Sequence, residues 1–212
     1  MKIKIGDGQE IDISKITPFL EYLGDDSSPT ITNNYQENAG FDGSIYQYST
    51  FNKTFNTARF LLHFDDWYDF KLAKHDIYRT FMTKDLIRIR TDAEPAIVKF
   101  VRAVPFEINP ISDGSHDASF SIAFENPSGY KYSLLTSNNL YTYSVEGWQV
   151  GTNLPNGQDL NYHFVNQPQF KIYNASDIAI DPYYQRHQLK IIIKFKGSSL
   201  QLVNRTNGSS WK

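Results

Sequence analysis

The sequence predicts a mainly β protein, α+β by strict count, built from β-sandwich parts with one α-helix and one long β-hairpin. The 212 residues include 14 tyrosines and 15 phenylalanines, which favour strands, and a single segment has helical spacing of its apolar residues. Short alternating apolar runs are separated by Asn, Ser, Thr and Gly, as is typical of sandwiches. With 40% hydrophobic residues, the chain can bury one large core or two small ones.

The first 56 residues predict a hairpin, a loop and a turn that leads into a strand. The stretch MKIKIGDGQEIDIS alternates on both sides of Gly6-Asp7-Gly8, which predicts a hairpin. The polar stretch DDSSPTITNN, residues 25–34, is predicted to be a loop. The stretch GFDG, residues 40–43, precedes an aromatic strand rather than a helix and has no nearby lysine. It therefore predicts a turn and not a phosphate-binding loop.

The next segment predicts a strand followed by the helix. The apolar parity changes between Phe55 and Phe60, which requires a bulge or a second strand. In the stretch DDWYDFKLAKHDIYRTFMTK, Asp66 can cap a helix whose apolar stripe has 3-4-4 spacing. We interpret this stripe as core packing rather than as a cofactor site; it consists of Phe70, Ala73, Ile77 and Phe81.

A short strand and a long hairpin are predicted to follow the helix. In IRIR, Ile87 and Ile89 are predicted to face inward, and Arg88 and Arg90 outward. The hairpin of residues 95–124 turns at Ser112-Asp113-Gly114. Its inward positions are predicted to be Val98, Phe100, Val104, Phe106 and Ile108 on one strand and Phe120, Ile122 and Phe124 on the other.

The Pro-, Ser- and Gly-containing stretch ENPSGYKYS predicts a domain boundary, which divides the chain into residues 1–125 and 126–212. Every later element is predicted to be a strand: LYTYSVEGWQV, YHFVN, QFKIYN, SDIAID, HQLKIIIKFK and LQLVN. Asn207-Gly208 predicts a type I′ hairpin turn, with Trp211 on the returning strand. The second domain is short for a full sandwich, so KIIIKFK or LQLVN is predicted to lie near an open sheet edge.

Composition and motifs argue against several classes of function. A formal net charge of -2 does not favour nucleic-acid binding, and no apolar run approaches the length of a membrane span. The absence of cysteine excludes disulfides and thiolate chemistry. No metalloprotease, hydrolase or P-loop motif occurs, and no two of the five histidines have ligand spacing. We therefore predict no catalytic residue, no cofactor and no metal site.

Aromatic residues of the second half are the candidate binding residues. Exposed aromatic side chains could contact a partner protein or stack on a glycan, although core or rim packing is the more common role. These candidates are Trp148, Tyr162, Tyr183, Tyr184 and Trp211.

The order of these pieces resembles the distal tail protein family of long-tailed, non-contractile bacteriophages and of prophages in Gram-positive hosts. The resemblance covers nearly the whole chain: the N-terminal hairpin, GFDGS before FNTARFLLHF, one helix, IRIR, the long hairpin, and YHFVNQPQFKIYNASDIAIDP with KIIIKFKGSSLQLVN. It implies a tail-tube-like domain at residues 1–125 that forms a hexameric ring, followed by a galectin-like sandwich at residues 126–212.

The same resemblance implies a structural, non-enzymatic role at the virion tail tip, with assembly in the host cytoplasm. The implied partners are further copies of the chain (including stacked rings), the tail tube protein, and tail-associated and receptor-binding proteins. Membrane and specific nucleic-acid partners are not implied. Two alternatives remain: a carbohydrate-binding module of a secreted or surface protein, and a glycosidase, which would need two suitably spaced carboxylates.

Two expectations about assembly follow. The apolar face of the hairpin at residues 95–124 is expected to be completed in part by a neighbouring subunit. If a ring encloses a DNA path, Arg88 and Arg90 are expected to point away from its axis or to pair with carboxylates.

Overall fold

The computed structural model describes residues 1–40, 42–137, 147, 162–179 and 191–211. Its one α-helix in these ranges, α1, spans Trp67–Phe81, and a single 3-10 turn spans Ile13–Lys15. The strands are β1 Lys2–Ile5, β2 Ile11–Asp12, β3 Leu20–Ser27, β4 Ile31–Gln36, β5 Ile45–Phe51, β6 Thr54–His63, β7 Ile87–Arg90, β8 Ile97–Ala103, β9 Asp117–Asn126, β10 Tyr132–Ser133, β11 Leu202–Val203 and β12 Ser210–Trp211. The predicted mainly β class is confirmed.

An eight-stranded antiparallel sheet forms the main body, in the order β2-β1-β7-β8-β9-β6-β3, with β10 paired to β8. Strand β8 belongs to both halves, because its residues 99–101 pair with β7 and its last two residues pair with β9. Apolar side chains from both halves join one buried cluster with α1. Both halves of the sheet and the helix therefore contribute to one apolar core, as expected for a β-sandwich domain.

The helix lies where the sequence predicts it. Asp66 caps it, since its Oδ1 accepts hydrogen bonds from the backbone N–H groups of Tyr68 at 2.7 Å and Asp69 at 2.9 Å. The buried side chains of α1 are the four predicted ones, Phe70, Ala73, Ile77 and Phe81. They meet aromatic rings of the sheet, and the ring of Phe81 lies 5.6 Å from that of Phe124.

The predicted inward face of β8 is wrong in its second half. Val98 is buried as expected, but Phe100 is 38% exposed, and Val101 is fully buried instead. Both faces of β8 are covered, although not equally: Val101 belongs to the main core, whereas Phe100 on the opposite face packs against Tyr132 of β10 at 5.5 Å and stays partly exposed. Alternation assigns faces only where one face meets water.

The long hairpin also differs from its prediction, although its turn and its β9 face are confirmed. The β8–β9 ladder ends at Ala103↔Phe124, with one further hydrogen bond from the Val104 N–H to the Ala123 carbonyl at 2.8 Å. Pro105 has no N–H to continue it. Phe106 then stacks on Phe120 at 6.1 Å inside the same chain. Much of the apolar face that was expected to need a neighbour is therefore covered internally.

The N-terminal hairpin is confirmed, because β1 pairs antiparallel with β2. The loop predicted at residues 25–34 is wrong, since β3 continues to Ser27 and β4 begins at Ile31. The polar side chains of residues 25–27 are compatible with a strand because β3 lies at the edge of the sheet, where polar groups reach water. The bulge or second strand expected between Phe55 and Phe60 is wrong, since both residues lie on β6, whose register with β9 is continuous. The parity changes because Phe55 is on the outer face of β6 and is 44% exposed, whereas Phe60 is in the core.

Ile87 and Ile89 are buried as predicted, but Arg90 is not on an open outer face. It is only 8% exposed, and its Nε donates to Oε1 of Glu10 at 2.9 Å. Arg88 donates to the other oxygen, Oε2, at 2.6 Å. Both guanidinium groups therefore pair with a carboxylate, which is one of the two arrangements expected for them.

The chain divides into two compact units, residues 1–179 and 180–212. Within the first unit, β10 belongs to the main sheet through its pairing with β8. The division into a ring-forming domain and a galectin-like domain at residue 126 stays a prediction.

Several strands predicted for the second half are wrong where the structure describes them. Residues 162–179 and 191–196 contain no strand, although KIIIKF has the strongest strand pattern of the chain. Alternation measures the tendency of a segment to form a strand, but a strand also requires a partner. The predicted strand LYTYSVEGWQV lies outside the described residues except for Gly147.

The terminal hairpin is confirmed in position but not in turn type. Leu202 pairs with Trp211 and Val203 with Ser210, as predicted for LQLVN. Gly208 has a φ of +76°, whereas Asn207 stays at negative φ, so the turn is not type I′. The loop is longer, because the Gly208 N–H donates to the Asn204 carbonyl at 2.8 Å.

Candidate assembly surface

A two-stranded ribbon, formed by β4 and β5, stands apart from the main sheet. The two strands pair from Ile31↔Phe51 to Gln36↔Ile45, with a bulge after Asn34. Among the described strands, neither β4 nor β5 pairs with any other. Gly40 and Gly43 between the strands both have positive φ, near +87°, which confirms the predicted turn at GFDG. An isolated ribbon of this kind is marginally stable in water.

One face of the ribbon carries large apolar side chains. The ring of Tyr35 meets that of Tyr46 across the strands at 5.9 Å, and Tyr46 shares its face with Ser49 through a hydrogen bond of 2.8 Å. Ile31 and Phe51 form the apolar pair at the other end. These four side chains are between 51% and 56% exposed, and on the other face Ile45 is 59% exposed and Tyr48 53%. The chain thus presents a concentrated apolar surface to the solvent.

The ribbon strands contain no charged residue. The edge strand β3 is different, since it carries Glu21, Asp25 and Asp26. Charged residues at a sheet edge prevent a second chain from adding a strand. The protein protects one edge in this way and leaves the ribbon unprotected, which favours the ribbon as a surface for another protein chain.

The base of the ribbon is held against the segment that follows β9. The ring of Phe51 packs edge-on to that of Tyr130 at 5.9 Å. The Asn52 N–H donates to the Thr30 carbonyl at 2.9 Å, which closes the ribbon. At Gly129, where φ is +71°, a Cβ atom would lie 2.5 Å from the Asn52 carbonyl oxygen. Glycine is therefore required for the backbone contact that sets the ribbon against the main sheet.

We expect Gly129→Ala to lower the free energy of unfolding by about 2 kcal/mol, since it combines positive φ with a backbone clash. It should also speed hydrogen exchange at Asn52, because the ribbon base must move. Urea unfolding and amide exchange measure the two effects. Gly43→Ala is the matched control: Gly43 also has positive φ, but a Cβ there meets nothing within 4 Å. Equal exchange at Asn52 in both variants would contradict the proposed contact.

A buried polar network fixes β3, the strand that leads into the ribbon. Nζ of Lys99 donates to Oδ1 of Asn56 at 2.8 Å and to Oδ2 of Asp25 at 3.3 Å, and the Tyr22 hydroxyl donates to Asp25. Burial raises the pKa of Asp25, but the hydrogen bond from Tyr22 and the charge of Lys99 outweigh it and hold that pKa below its ordinary value. The network therefore joins β3, β6 and β8 through ionised groups.

Two of the five aromatic residues proposed from sequence lie in the described parts of the chain. Tyr162 is half-buried and stacks on Phe164 at 6.4 Å, and Trp211 on β12 is 65% exposed. Trp148, Tyr183 and Tyr184 lie outside the described residues. The role of all five as partner or glycan contacts stays a prediction.

Sequence reasoning missed the ribbon as a separate element. The signal was present, since residues 31–36 and 45–51 contain four aromatics and have no charge. It was hidden because the polar residues of β4 resemble those of a loop.

Other kinds of site find no support in the described ranges. No group of three or more His, Asp or Glu side chains is placed to hold a metal there. Of the helices in those ranges, none combines the length and apolarity that a bilayer span requires.

The described residues thus form a mainly β fold around α1, with a separate, uncharged apolar ribbon. The family model described as phage tail protein RIFT-related domain matches residues 6–126. The chain belongs to this phage tail protein family, and the resemblance drawn from sequence is confirmed.

Comparison with solved structures shows a similar fold in a phage hub protein. The crystal structure of SPP1 Dit (gp 19.1), described as a paradigm of the hub adsorption apparatus in phages that infect Gram-positive hosts, superimposes with a TM-score of 0.51 at 13% identity and covers 62% of this chain. The match spans 51% of the Dit chain, about half its length. The match to the six-fold symmetrised baseplate of the anti-feeding prophage spans 63% of this chain and 89% of that chain, at 9% identity. Its TM-score of 0.29 is too low to indicate a shared fold. The comparison with curated proteins gives no match.

Proposed function

We propose that the protein is a hub component of the phage tail tip, which forms a ring between the tail tube and the adsorption apparatus. Family membership and the Dit-like fold support a structural role in the tail. The observation that carries the proposal is the β4–β5 ribbon, because a projecting, uncharged apolar element is suited to contact with a neighbouring subunit.

The ribbon can supply the main apolar contact between subunits. Six large side chains on it are each more than half exposed: Ile31, Tyr35, Ile45, Tyr46, Tyr48 and Phe51. Burying the exposed half of one such side chain contributes about 1 kcal/mol, so one ribbon contributes about 6 kcal/mol before the cost of association. That cost is itself about 4–15 kcal/mol. A single contact is therefore weak, and closure of a ring, which gives every subunit two contacts, favours assembly.

The ribbon contact is heterologous, since the ribbon of one subunit docks on a different surface of the next. Repeated contacts of this type close into a ring when the rotation between neighbours divides a full turn. The family resemblance implies six subunits, with residues 1–125 forming the ring. Residues 126–212 then project outward as the galectin-like part that meets tail-associated and receptor-binding proteins. Assembly in the host cytoplasm precedes incorporation at the virion tail tip.

Photo-crosslinking tests this proposal in the full chain. A benzophenone amino acid at position 46 of the ribbon is expected to give a ladder of covalent multiples of the 24.4 kDa chain. The matched control is position 72, because Leu72 on the outer face of α1 is also 62% exposed but lies outside the ribbon. Light scattering and negative-stain images should show closed rings at high protein concentration.

The double variant Ile45→Ser/Tyr46→Ser measures the strength of the contact. Losing about 2 kcal/mol of apolar burial is expected to weaken subunit association about thirtyfold. Leu72→Ser should leave association unchanged. Equal crosslinking at positions 46 and 72 would contradict the ribbon contact. A strict monomer that is retained on immobilised glycans would favour the carbohydrate-binding alternative instead.

A further inference from the structure

A groove at the N-terminal end of α1 lies outside the ribbon, since no residue of β4 or β5 lines it. We propose that this groove binds a segment of a partner protein that presents a lysine or arginine beside an apolar side chain. It lies between the start of the helix and the loop that contains the turn at residues 112–115. Asp66 and Trp67 line it on the helix side, and Ile111, Asp113 and His116 on the loop side.

The size and apolar walls of the groove fit a short peptide segment. Its volume is about 580 Å³, within the range of sites that enclose several side chains. Trp67 is 55% exposed and Ile111 61%, so two large apolar side chains on opposite walls remain open to a ligand. The ring of Trp67 packs on Phe70 at 5.1 Å, and this contact with the core holds the indole in place.

The charge of the lining selects a cation. Two carboxylates, Asp66 and Asp113, line the groove, and no lysine or arginine does. The cap of α1 uses Oδ1 of Asp66, which accepts from the backbone N–H groups of Tyr68 and Asp69. His116 is fixed as part of the wall by a hydrogen bond from its Nδ1 to the Phe64 carbonyl at 3.1 Å. An arginine or lysine side chain of a partner can therefore pair with a lining carboxylate while its neighbours pack on the apolar walls.

The indole of Trp67 already attracts a cation within the chain. Nζ of Lys71, one helical turn later, lies 4.9 Å from the centre of this ring. Because Lys71 is not part of the groove lining, it leaves the groove open, but its charge opposes an incoming cation. Removing this charge should therefore strengthen binding, an effect that a merely structural role of the groove would not produce.

The inference does not depend on ring formation and can be tested on the full chain with a displayed library of random dodecapeptides. The full chain is the target, and the variant Asp113→Asn/Ile111→Ser is used for counter-selection. Both replaced residues lie on an exposed loop, so folding should be unaffected, and matching thermal unfolding curves check this. We expect the selected peptides to share a lysine or arginine beside an apolar residue.

Synthetic copies of the selected peptides then provide the affinities. The double variant is expected to bind them about tenfold more weakly. Lys71→Met is expected to bind them several-fold more tightly, and Leu72→Ser, the neighbouring control, with unchanged affinity. Selection without a shared motif, a motif of acidic residues, or equal affinity in the double variant would overturn the proposal.

Two other occupants give distinct results. If simple sugars at millimolar concentration shift the indole N–H signal of Trp67 and the peptides do not, the groove is a glycan site. If the double variant lowers the mass of the assembled protein, the groove belongs to the contact between copies. Either result would overturn the assignment to a cationic partner segment.

Discussion

Phe60→Ala is expected to lower the free energy of unfolding by about 4 kcal/mol, the largest effect of any single replacement we propose. Phe60 on β6 is fully buried. Its ring stacks on that of Phe120 at 5.4 Å and lies 6.2 Å from that of Phe81 and 6.0 Å from that of Tyr22. One side chain therefore joins two neighbouring strands of the sheet, the helix and the edge strand. Its removal leaves a cavity that these elements cannot close together.

Urea unfolding followed by circular dichroism measures this effect. Phe55→Ala is the matched control, because Phe55 lies on the same strand but faces solvent and is 44% exposed. Its loss is expected to cost less than about 1 kcal/mol. Similar costs for the two variants would mean that the face assignment of β6 is wrong.

Glu10→Ala is expected to lower the free energy of unfolding by about 3 kcal/mol, because it removes a carboxylate shared by two largely buried guanidinium groups. Arg90 is 8% exposed and Arg88 has a side-chain exposure of 23%. The carboxylate also joins the loop before β2 to β7, so its loss loosens both. Glu21→Ala on the exposed edge of β3 is the control, and a cost as small as that of the control would contradict the role of Glu10.

Glu10 and its two arginine partners also set part of the dependence of folding stability on pH. Burial raises the pKa of Glu10, but hydrogen bonds and charge from Arg90 and Arg88 outweigh it and hold that pKa below its ordinary value of 4.5. The unfolded chain therefore binds this proton more tightly than the folded chain. The stabilising contribution is complete above about pH 4.5 and disappears as the pH falls through the folded pKa. The stability curves of the wild type and Glu10→Ala should accordingly converge in acid.

The sequence predicts the parts of the fold that have one buried face. The stripe of α1 and the inward side of β9 were assigned correctly because their other faces meet water. The predicted inward face of β8 is wrong because the segment around Tyr132 packs against its outer face. The open position predicted for Arg90 is wrong because Glu10 covers its guanidinium group. Both errors have one cause, since residues distant in sequence supply the second cover. The groove beside Trp67 could not be predicted for the same reason, because two distant segments line it.

The uncharged ribbon also affects the tendency of the newly made chain to aggregate. A newly made chain carries an aromatic segment with no charge to repel a second copy and with free strand edges on both sides. Such a segment can recruit the correct neighbour, but it can equally nucleate disordered aggregates. If the proposed ribbon contact forms, the interval between synthesis and assembly is therefore the period in which aggregation is most favoured. The yield of soluble protein should then rise when the ribbon is covered soon after synthesis.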